Sequence, residues 1–378
     1  MKIGIVCYPT FGGSGVVATE LGIALAKQGH QVHFITYTQP ARLDFFNENL
    51  FYHEVTFTTY PLFEYPPYEL ALASKMVNVV RYEKLDLLHV HYAIPHASAA
   101  YMAKQILKEE GIYIPVITTL HGTDITLVGK DVSYEPVVTF SINQSDGVTA
   151  VSDDLKKDTY AHFNIKKEIH VIPNFIDIDK FKKNKKEYFR RAICPDNEKM
   201  IVHTSNFREV KRIGDVVQVF EEIRKQIPCK LLMVGDGPER PKIELLCREL
   251  NVHKDVRFLG KLEAVEEVLS LCDLFILPSE KESFGLAALE AMACEVPLIC
   301  SDAGGLPELN IHGKTGFISK VGDINDMVKN ALYILDDQNL PEFRKNALKR
   351  AREFDINLIL PKYINLYKDV LEPRKQKL

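Results

Sequence analysis

Apolar, β-rich runs alternate with segments of helical period from one end of the chain to the other. Candidate strands occupy 3–7, 31–37, 86–91, 115–120 and 147–151, and a second series runs 168–172, 200–204, 229–234, 255–259, 273–277, 297–301 and 316–318. Helical patterns lie between most of them, at 15–28, 68–83, 96–110, 214–226, 239–250, 263–271 and 285–293 among others. Such alternation predicts parallel sheets with helices on both faces. Near 173–195 the pattern breaks: Pro173-Asn174 ends a strand, and the polar run Lys182-Lys183-Asn184-Lys185-Lys186 follows as a solvated linker. The pattern then restarts, so two similar α/β halves facing a central cleft are expected. The tail at 356–370 carries Ile356, Leu360, Ile364, Tyr367 and Val370 at helical spacing. By spacing alone this helix can cap either half.

Composition narrows the class. The 378 residues suffice for two domains with their own cores, and 46% hydrophobic with 26% charged residues is a globular balance. A net charge of −4 lacks the basic excess of a nucleic-acid protein. The seven cysteines form no C-x-x-C pair, which argues against a disulfide framework or a cysteine zinc site and for a reducing cytoplasm. No apolar stretch approaches the roughly 18 residues of a membrane span, and the short run at the N-terminus is no signal peptide.

The first candidate chemistry is a glycine loop. Ile3-Gly4-Ile5-Val6 leads into Gly13-x-Gly15-x-x-Ala18, and strand, glycine turn and helix together present backbone N–H groups to an anion. A nicotinamide enzyme needs an acid about 20 residues further on, at the end of the second strand, to hold a ribose. That strand ends Phe34-Ile35-Thr36-Tyr37-Thr38-Gln39, and the next acid is Asp44. An oxidoreductase is therefore disfavoured, and no P-loop Lys-Ser/Thr is present. A glycine turn with a purely structural role stays open.

Five further loops follow strands in the second half, so all belong at one end of a sheet. Asn206-Phe207-Arg208 with Lys211 offers two cations for a diphosphate. Gly235-Asp236-Gly237-Pro238, Phe258-Leu259-Gly260-Lys261 and Ala303-Gly304-Gly305-Leu306-Pro307-Glu308 add turns. In the fifth, Glu282 sits on a loop, Ser283, Phe284, Gly285 and Leu286 open a helix whose N–H groups suit a phosphate, and Glu290 lies two turns in, where it can bond a diol.

Together these motifs resemble the retaining GT-B glycosyltransferases of family 4. The carriers are Ser205-Asn-Phe-Arg-x-x-Lys211, Gly235-Asp-Gly-Pro, Phe258-Leu-Gly260, Glu282-Ser-Phe-Gly-x-x-x-x-Glu290 and Gly304-Gly-x-Pro-Glu308. Gly12-Gly13-Ser14-Gly15, His121-Gly122-Thr123-Asp124 and Val151-Ser152 also fit, so the likeness runs almost end to end. It implies two Rossmann-like domains: an acceptor domain at 1–172, to which helix 356–378 returns, and a nucleotide-sugar donor domain at 173–355. It implies catalytic roles for His121, Arg208, Lys211 and Glu282. Donor contacts are implied for Gly13, Gly15, Asn206, Gly260, Lys261, 283–286 and Glu290, with the ribose on Glu290, the sugar on Glu282 and the uracil on Gly260 and Lys261.

The N-terminal motifs Cys7-Tyr-Pro-Thr-Phe-Gly-Gly-Ser-Gly, His89-Val-His-Tyr-Ala-Ile-Pro-His96 and Thr119-Leu-His-Gly-Thr-Asp-Ile-Thr126 carry the resemblance further, to members that use UDP-N-acetylglucosamine and L-malate. These are implied as co-substrates, with no metal, no cofactor and no stable membrane association; a homodimer is compatible with the sequence. By analogy Ser14, Tyr92, Thr119 and Thr123 line the acceptor site, and Arg42, Arg81 or Lys130 supplies a cation for its carboxylates. Segment 69–84 balances Lys75, Arg81 and Lys84 against Glu69 and Glu83, which favours a water-soluble acceptor over a lipid. Asp177-Ile178-Asp179 spells a metal motif of other glycosyltransferases but lies in the linker, and His89 and His91 share a strand face with no third ligand in sequence. Both are expected to be structural. A lipid or polysaccharide acceptor, a UDP-N-acetylglucosamine 2-epimerase and a non-catalytic nucleotide-sugar sensor remain as rivals.

Overall fold

The structure, a computed structural model, describes residues 1–10, 12–43, 45–57, 65–127, 129–183, 187–195 and 198–375. Asp44 and the end of the lysine run, Asn184 to Lys186, lie outside them. The chain divides into two compact units, Met1–Asn174 with Ile356–Leu378, and Phe175–Asp355.

The first unit holds β1 (Lys2–Val6), β2 (Gln31–Thr36), β3 (Leu50–Glu54), β4 (Leu87–His91), β5 (Val116–Leu120), β6 (Gly147–Ala150) and β7 (Ile169–Val171). They form one sheet in the order β3-β2-β1-β4-β5-β6-β7, every pair parallel. Its helices are α1 (Gly13–Lys27), α2 (Tyr68–Glu83), α3 (Ser98–Glu109), α4 (Glu135–Gln144) and α5 (Asp153–His162). Central strands β4 and β5 are buried at every position, as expected for a sheet covered on both faces. Two strands depart from the sequence reading. β3 was not expected: it is a five-residue edge strand whose Phe51, Tyr52 and Glu54 face water, so no apolar run betrays it. The segment at 168–172, read as the start of the second series, instead closes the first sheet through Val148↔Ile169 and Ala150↔Val171.

The second unit repeats the plan with β8 (Lys199–Ser205), β9 (Cys229–Gly235), β10 (Val256–Gly260), β11 (Leu274–Leu277), β12 (Leu298–Ser301) and β13 (Gly316–Ser319), in the parallel order β10-β9-β8-β11-β12-β13. Helices α6 (Glu187–Ile193), α7 (Ile213–Arg224), α8 (Arg240–Glu249), α9 (Val265–Leu269), α10 (Leu286–Ala293), α11 (Leu306–Leu309), α12 (Ile324–Leu335) and α13 (Leu340–Ala351) accompany it. The core under β8, β9 and β11 gathers Phe207, Phe220, Leu231, Met233, Ile276 and Phe343. The chain then returns to the first unit as α14 (Ile356–Lys375), whose buried stripe is Ile359, Leu360, Tyr363, Leu366 and Tyr367.

In both sheets the strand order reverses beside the first strand, between β1 and β4 and between β8 and β11. Open α/β sheets bind ligands outside the carboxyl ends of the strands at such points.

Candidate active site

In the first unit the reversal point gathers three loops. Gly12, extended, precedes α1, and Gly13 and Ser14 open it. Gly15 is required for packing: a Cβ there lies 2.4 Å from the Thr10 carbonyl and 2.5 Å from that of Tyr8. Gly13 is exposed at the first turn of the helix, while the buried Gly15 seats the helix on its loop. Beyond β4, Tyr92 adopts φ 88°, a left-handed geometry that costs an L-residue about 1–3 kcal/mol. The turn aims its hydroxyl at Ser14, to which it donates at 2.8 Å, and Thr123 is a second partner. Burial pushes the Tyr92 phenol up to about 12, so it stays a neutral donor.

Ser14, Tyr92 and Thr123 are thus brought together, and Thr119 is not. Thr119 is fully buried inside the sheet, its Oγ1 2.7 Å from both His89 Nε2 and Thr149 Oγ1. The three candidate cations are each paired: Arg42 with Glu20 at 3.4 Å, Lys130 with Asp158 at 3.1 Å, and Arg81 with Glu110. Arg81 also ends α2, which runs back toward the amino edge of the sheet, so it lies away from the loops that carry Ser14 and Thr123.

Asp124 ties this end together, a role the sequence reading did not assign to it. Its buried carboxylate accepts from the backbone N–H of Ala93 at 2.9 Å, Gly122 at 3.0 Å and His121 at 3.3 Å, which joins the loop after β4 to the loop after β5. Burial raises its pKa to about 6 despite these bonds. His121 itself bonds His91: His91 Nδ1 is 2.8 Å from His121 Nε2. Burial drives the pKa of His121 down to about 3, so the ring is neutral at physiological pH. His89, expected to be structural, bonds Tyr367 of α14 and Thr119 and touches no open space.

In the second unit the loop after β8 carries exposed Asn206 and Arg208 either side of Phe207, whose ring is fully buried at φ 36°. Lys211 closes the turn, and its Nζ lies 2.6 Å from Glu282 Oε2 on the loop after β11. Two of the three charges expected to be catalytic, Lys211 and Glu282, therefore neutralise one another. Phe284 faces inward, packed on Phe354, so only its backbone can meet a ligand. Gly285 holds φ 94° and caps α10, whose first amides have no partner in their own helix. Glu290 is nearly buried on that helix. Gly260, at φ 68°, ends edge strand β10 with Lys261 exposed beside it.

The remaining glycine loops brace these. A Cβ on Gly235 or Gly237 falls 1.8 Å from the Ser205 carbonyl or 2.2 Å from that of Asn206. Likewise a Cβ on Gly305 falls 2.3 Å from the Ser283 carbonyl, and the Gly305 amide donates to the Glu282 carbonyl at 2.9 Å. The loops after β8 and β11 are thus each pressed against a glycine loop from a neighbouring strand, with no room for a side chain between.

Asp177 of the apparent metal motif accepts from Asp179 N at 3.0 Å and Lys180 N at 3.3 Å, which makes it a turn cap. Ser152 caps α5 through Leu155 N. Among the described residues, His33, His53 and Glu83 are the one trio of ligand types close enough to share an ion, but His33 Nδ1 and His53 Nε2 are hydrogen-bonded to each other at 2.9 Å. All seven cysteines are free and buried, the thiol of Cys7 pushed up to about 12, and none suits nucleophilic work. No described helix is long and apolar enough to cross a membrane.

Residues 11–180 match the family Glycosyltransferase Family 4, and residues 184–354 match Glycosyl transferases group 1. A Bacillus anthracis protein, N-acetyl-alpha-D-glucosaminyl L-malate synthase, is 48% identical over 99% of this chain and 98% of its own length. Among solved structures, Anabaena HepE in complex with UDP and glucose has TM-score 0.82 at 20% identity, over 97% of this chain and 99% of that one. Sucrose-phosphate synthase from Thermosynechococcus elongatus has TM-score 0.80 at 22% identity, over 99% and 100%. With two Rossmann-like parallel-sheet units and matches of this length, the chain belongs to the family 4 glycosyltransferases of the GT-B class.

Proposed function

We propose that this enzyme transfers N-acetylglucosamine from UDP-N-acetylglucosamine to the hydroxyl of L-malate with retention at the anomeric carbon, the first step towards bacillithiol. The observation that carries the reading is the 48% identity, sustained over 99% of the chain, to the malate synthase of Bacillus anthracis. The trio Ser14, Tyr92 and Thr123 supports it as a compact set of hydroxyls for a small polar acceptor.

The second unit holds the nucleotide. Arg208 and Lys211 neutralise the diphosphate, the free amides of 283–286 cradle it, and Glu290 accepts from the ribose diol. Glu282 bonds the sugar hydroxyls and keeps Lys211 in place. Lys211 has three N–H donors, so it can hold Glu282 and a phosphate oxygen together. The first unit binds malate and carries His121. As the bond from C1 to the phosphate oxygen breaks, a bond from the malate oxygen forms on the same face. The malate proton passes to the departing phosphate oxygen, so no carboxylate nucleophile is needed. Neutral His121 steadies the sugar as charge develops. No step calls on a metal.

Purified protein is mixed with UDP-N-acetylglucosamine, with and without L-malate, in EDTA, and UDP release is followed with product mass. Malate-dependent UDP release with a GlcNAc-malate mass is the expected result. UDP release without malate points to an epimerase or hydrolase, and tight UDP binding with no turnover sinks the malate assignment while leaving the family intact.

A further inference from the structure

His91, expected from the sequence to be structural, ends β4 and is fully buried. Its ring and that of His121 have centroids 5.0 Å apart and planes within 26°, with Nδ1 of one 2.8 Å from Nε2 of the other. Two imidazoles joined through one nitrogen each need a donor on one side and an acceptor on the other. When both are neutral, two arrangements satisfy this. Either His91 carries its proton on Nδ1 and donates, or His121 carries its proton on Nε2 and donates. The choice decides what His121 presents at its other nitrogen, Nδ1, which has no bond among the described residues.

The far side of His91 decides between them. His91 Nε2 is buried and finds no protein partner. Its neighbours have nothing to offer it. His89, stacked 4.5 Å away, has both nitrogens engaged by Tyr367 and Thr119. His96 turns its Nδ1 to the His91 carbonyl. If His91 Nδ1 accepts, its proton sits on Nε2 as a buried, unpaired N–H. If His91 Nδ1 donates, Nε2 is a bare lone pair. Orphaned buried N–H groups are rarer than unsatisfied acceptors, so the second arrangement is the cheaper one. The same site already contains an instance: a carbonyl only accepts, so His96 must be protonated at Nδ1, and its own buried Nε2 is likewise bare.

We propose that His91 is a positioning residue that fixes the tautomer of His121. The His91 Nδ1–H donates to His121 Nε2, the His121 proton resides on Nδ1, and His121 meets its ligand as a hydrogen-bond donor. With the Asp124 carboxylate on its backbone N–H and His91 on its ring, His121 is held at both ends. A donor suits a sugar hydroxyl or a developing negative charge, and it is the wrong group for a general base. The tautomer stands on the geometry alone; its catalytic consequence rests on the proposed role of His121.

The test is a two-bond 1H–15N correlation spectrum of the full-length enzyme labelled with 15N-histidine, at pH 6.5 to 8.5. The His121 signals are identified by their loss in His121→Gln. A bare Nε2 with protonated Nδ1 is expected, and a protonated Nε2 with bare Nδ1 overturns the proposal. His121→Gln serves for assignment alone, and the protonation state is read from the wild-type spectrum. In kinetics, His91→Leu is expected to lower kcat about 10- to 100-fold, the scale usual for partners that orient a functional histidine, with KM for the sugar nucleotide within two-fold. His91→Asn, whose amide can donate from the Nδ1 position, is expected to recover most of kcat. A change in KM and stability alone, with kcat intact, refutes positioning. If His121→Ala retains full malate transferase activity while the spectrum is as expected, the catalytic role of His121 fails and the tautomer assignment stands.

Discussion

Acidification should open the first unit before the second, because the buried histidines are unevenly shared. His33, His89 and His96 in the first unit are each at most 1% exposed, and burial lowers their pKa values from 6.5 to about 4, 3 and 4. His203, hydrogen-bonded to the Ile276 carbonyl, is the corresponding ring in the second unit, lowered to about 4. A histidine with a depressed native pKa is neutral in both states above pH 6.5 and then contributes nothing. Below 6.5 the unfolded chain takes up its proton and the native chain does not, so stability falls with pH. At pH 5.0 each ring costs about 2 kcal/mol, or about 6 kcal/mol for the three. Asp124 works the other way, since its native pKa of about 6 lies above the unfolded 3.8, and it returns about 1 kcal/mol over the same range. The net loss from these groups, about 5 kcal/mol before His91 and His121 add to it, is comparable to the whole stability of an ordinary domain, against about 2 kcal/mol for the second unit. The chain has no tryptophan, so peptide-resolved hydrogen exchange is the suitable assay, run from pH 7.5 to 5.0 and corrected for intrinsic exchange. Amides of β1, β4 and β5 should lose protection before those of β8, β9 and β11. Simultaneous opening, or the second sheet opening first, refutes the reasoning.

Three further outcomes follow from the site. Glu282→Gln releases Lys211 from its 2.6 Å partner and should lower kcat about 100-fold while leaving UDP affinity, read by calorimetry, equal or tighter. Gly305→Ala forces a methyl to within 2.3 Å of the Ser283 carbonyl, so KM for the sugar nucleotide should rise at least about ten-fold with KM for malate unchanged, in steady-state assays that vary each substrate in turn. Ser14→Ala removes one of the two partners of the Tyr92 hydroxyl and should raise KM for malate about 5- to 10-fold, the worth of one hydrogen bond, with the nucleotide KM unaffected.

Much of the fold was legible because parallel strands buried on both faces read as continuous apolar runs, as at Leu87–His91 and Val116–Leu120. β3 escaped because an edge strand with one wet face needs no such run. At the site, the loop positions after strands were readable from the chain pattern: Arg208 and Lys261 are exposed on such loops, and Ser14 opens the helix after the first strand. Thr119 was misjudged because strand residues alternate faces, and one position decides whether a hydroxyl reaches the ligand or the sheet interior. Asp124 and His91 act through three-dimensional neighbours, Ala93 for one and His121 for the other, and no spacing in a single sequence joins those residues. The bracing glycines were seen as turns, but their purpose lies in carbonyls more than 20 residues away, such as Ser283 for Gly305.

The first unit is built from two separated pieces of chain, and that fixes an order of events during synthesis. Ile356–Leu378 leaves the ribosome only after the 181 residues of Phe175–Asp355. At 5–20 residues per second that interval is about 9 to 36 s. Until α14 arrives, His89 lacks the Tyr367 hydroxyl and the sheet face that takes Tyr363 and Leu366 stays uncovered. The second unit, contiguous in sequence, has no such wait. The earlier half therefore stays incomplete throughout synthesis of the later half, and its sheet is finished only when the last segment of chain is released.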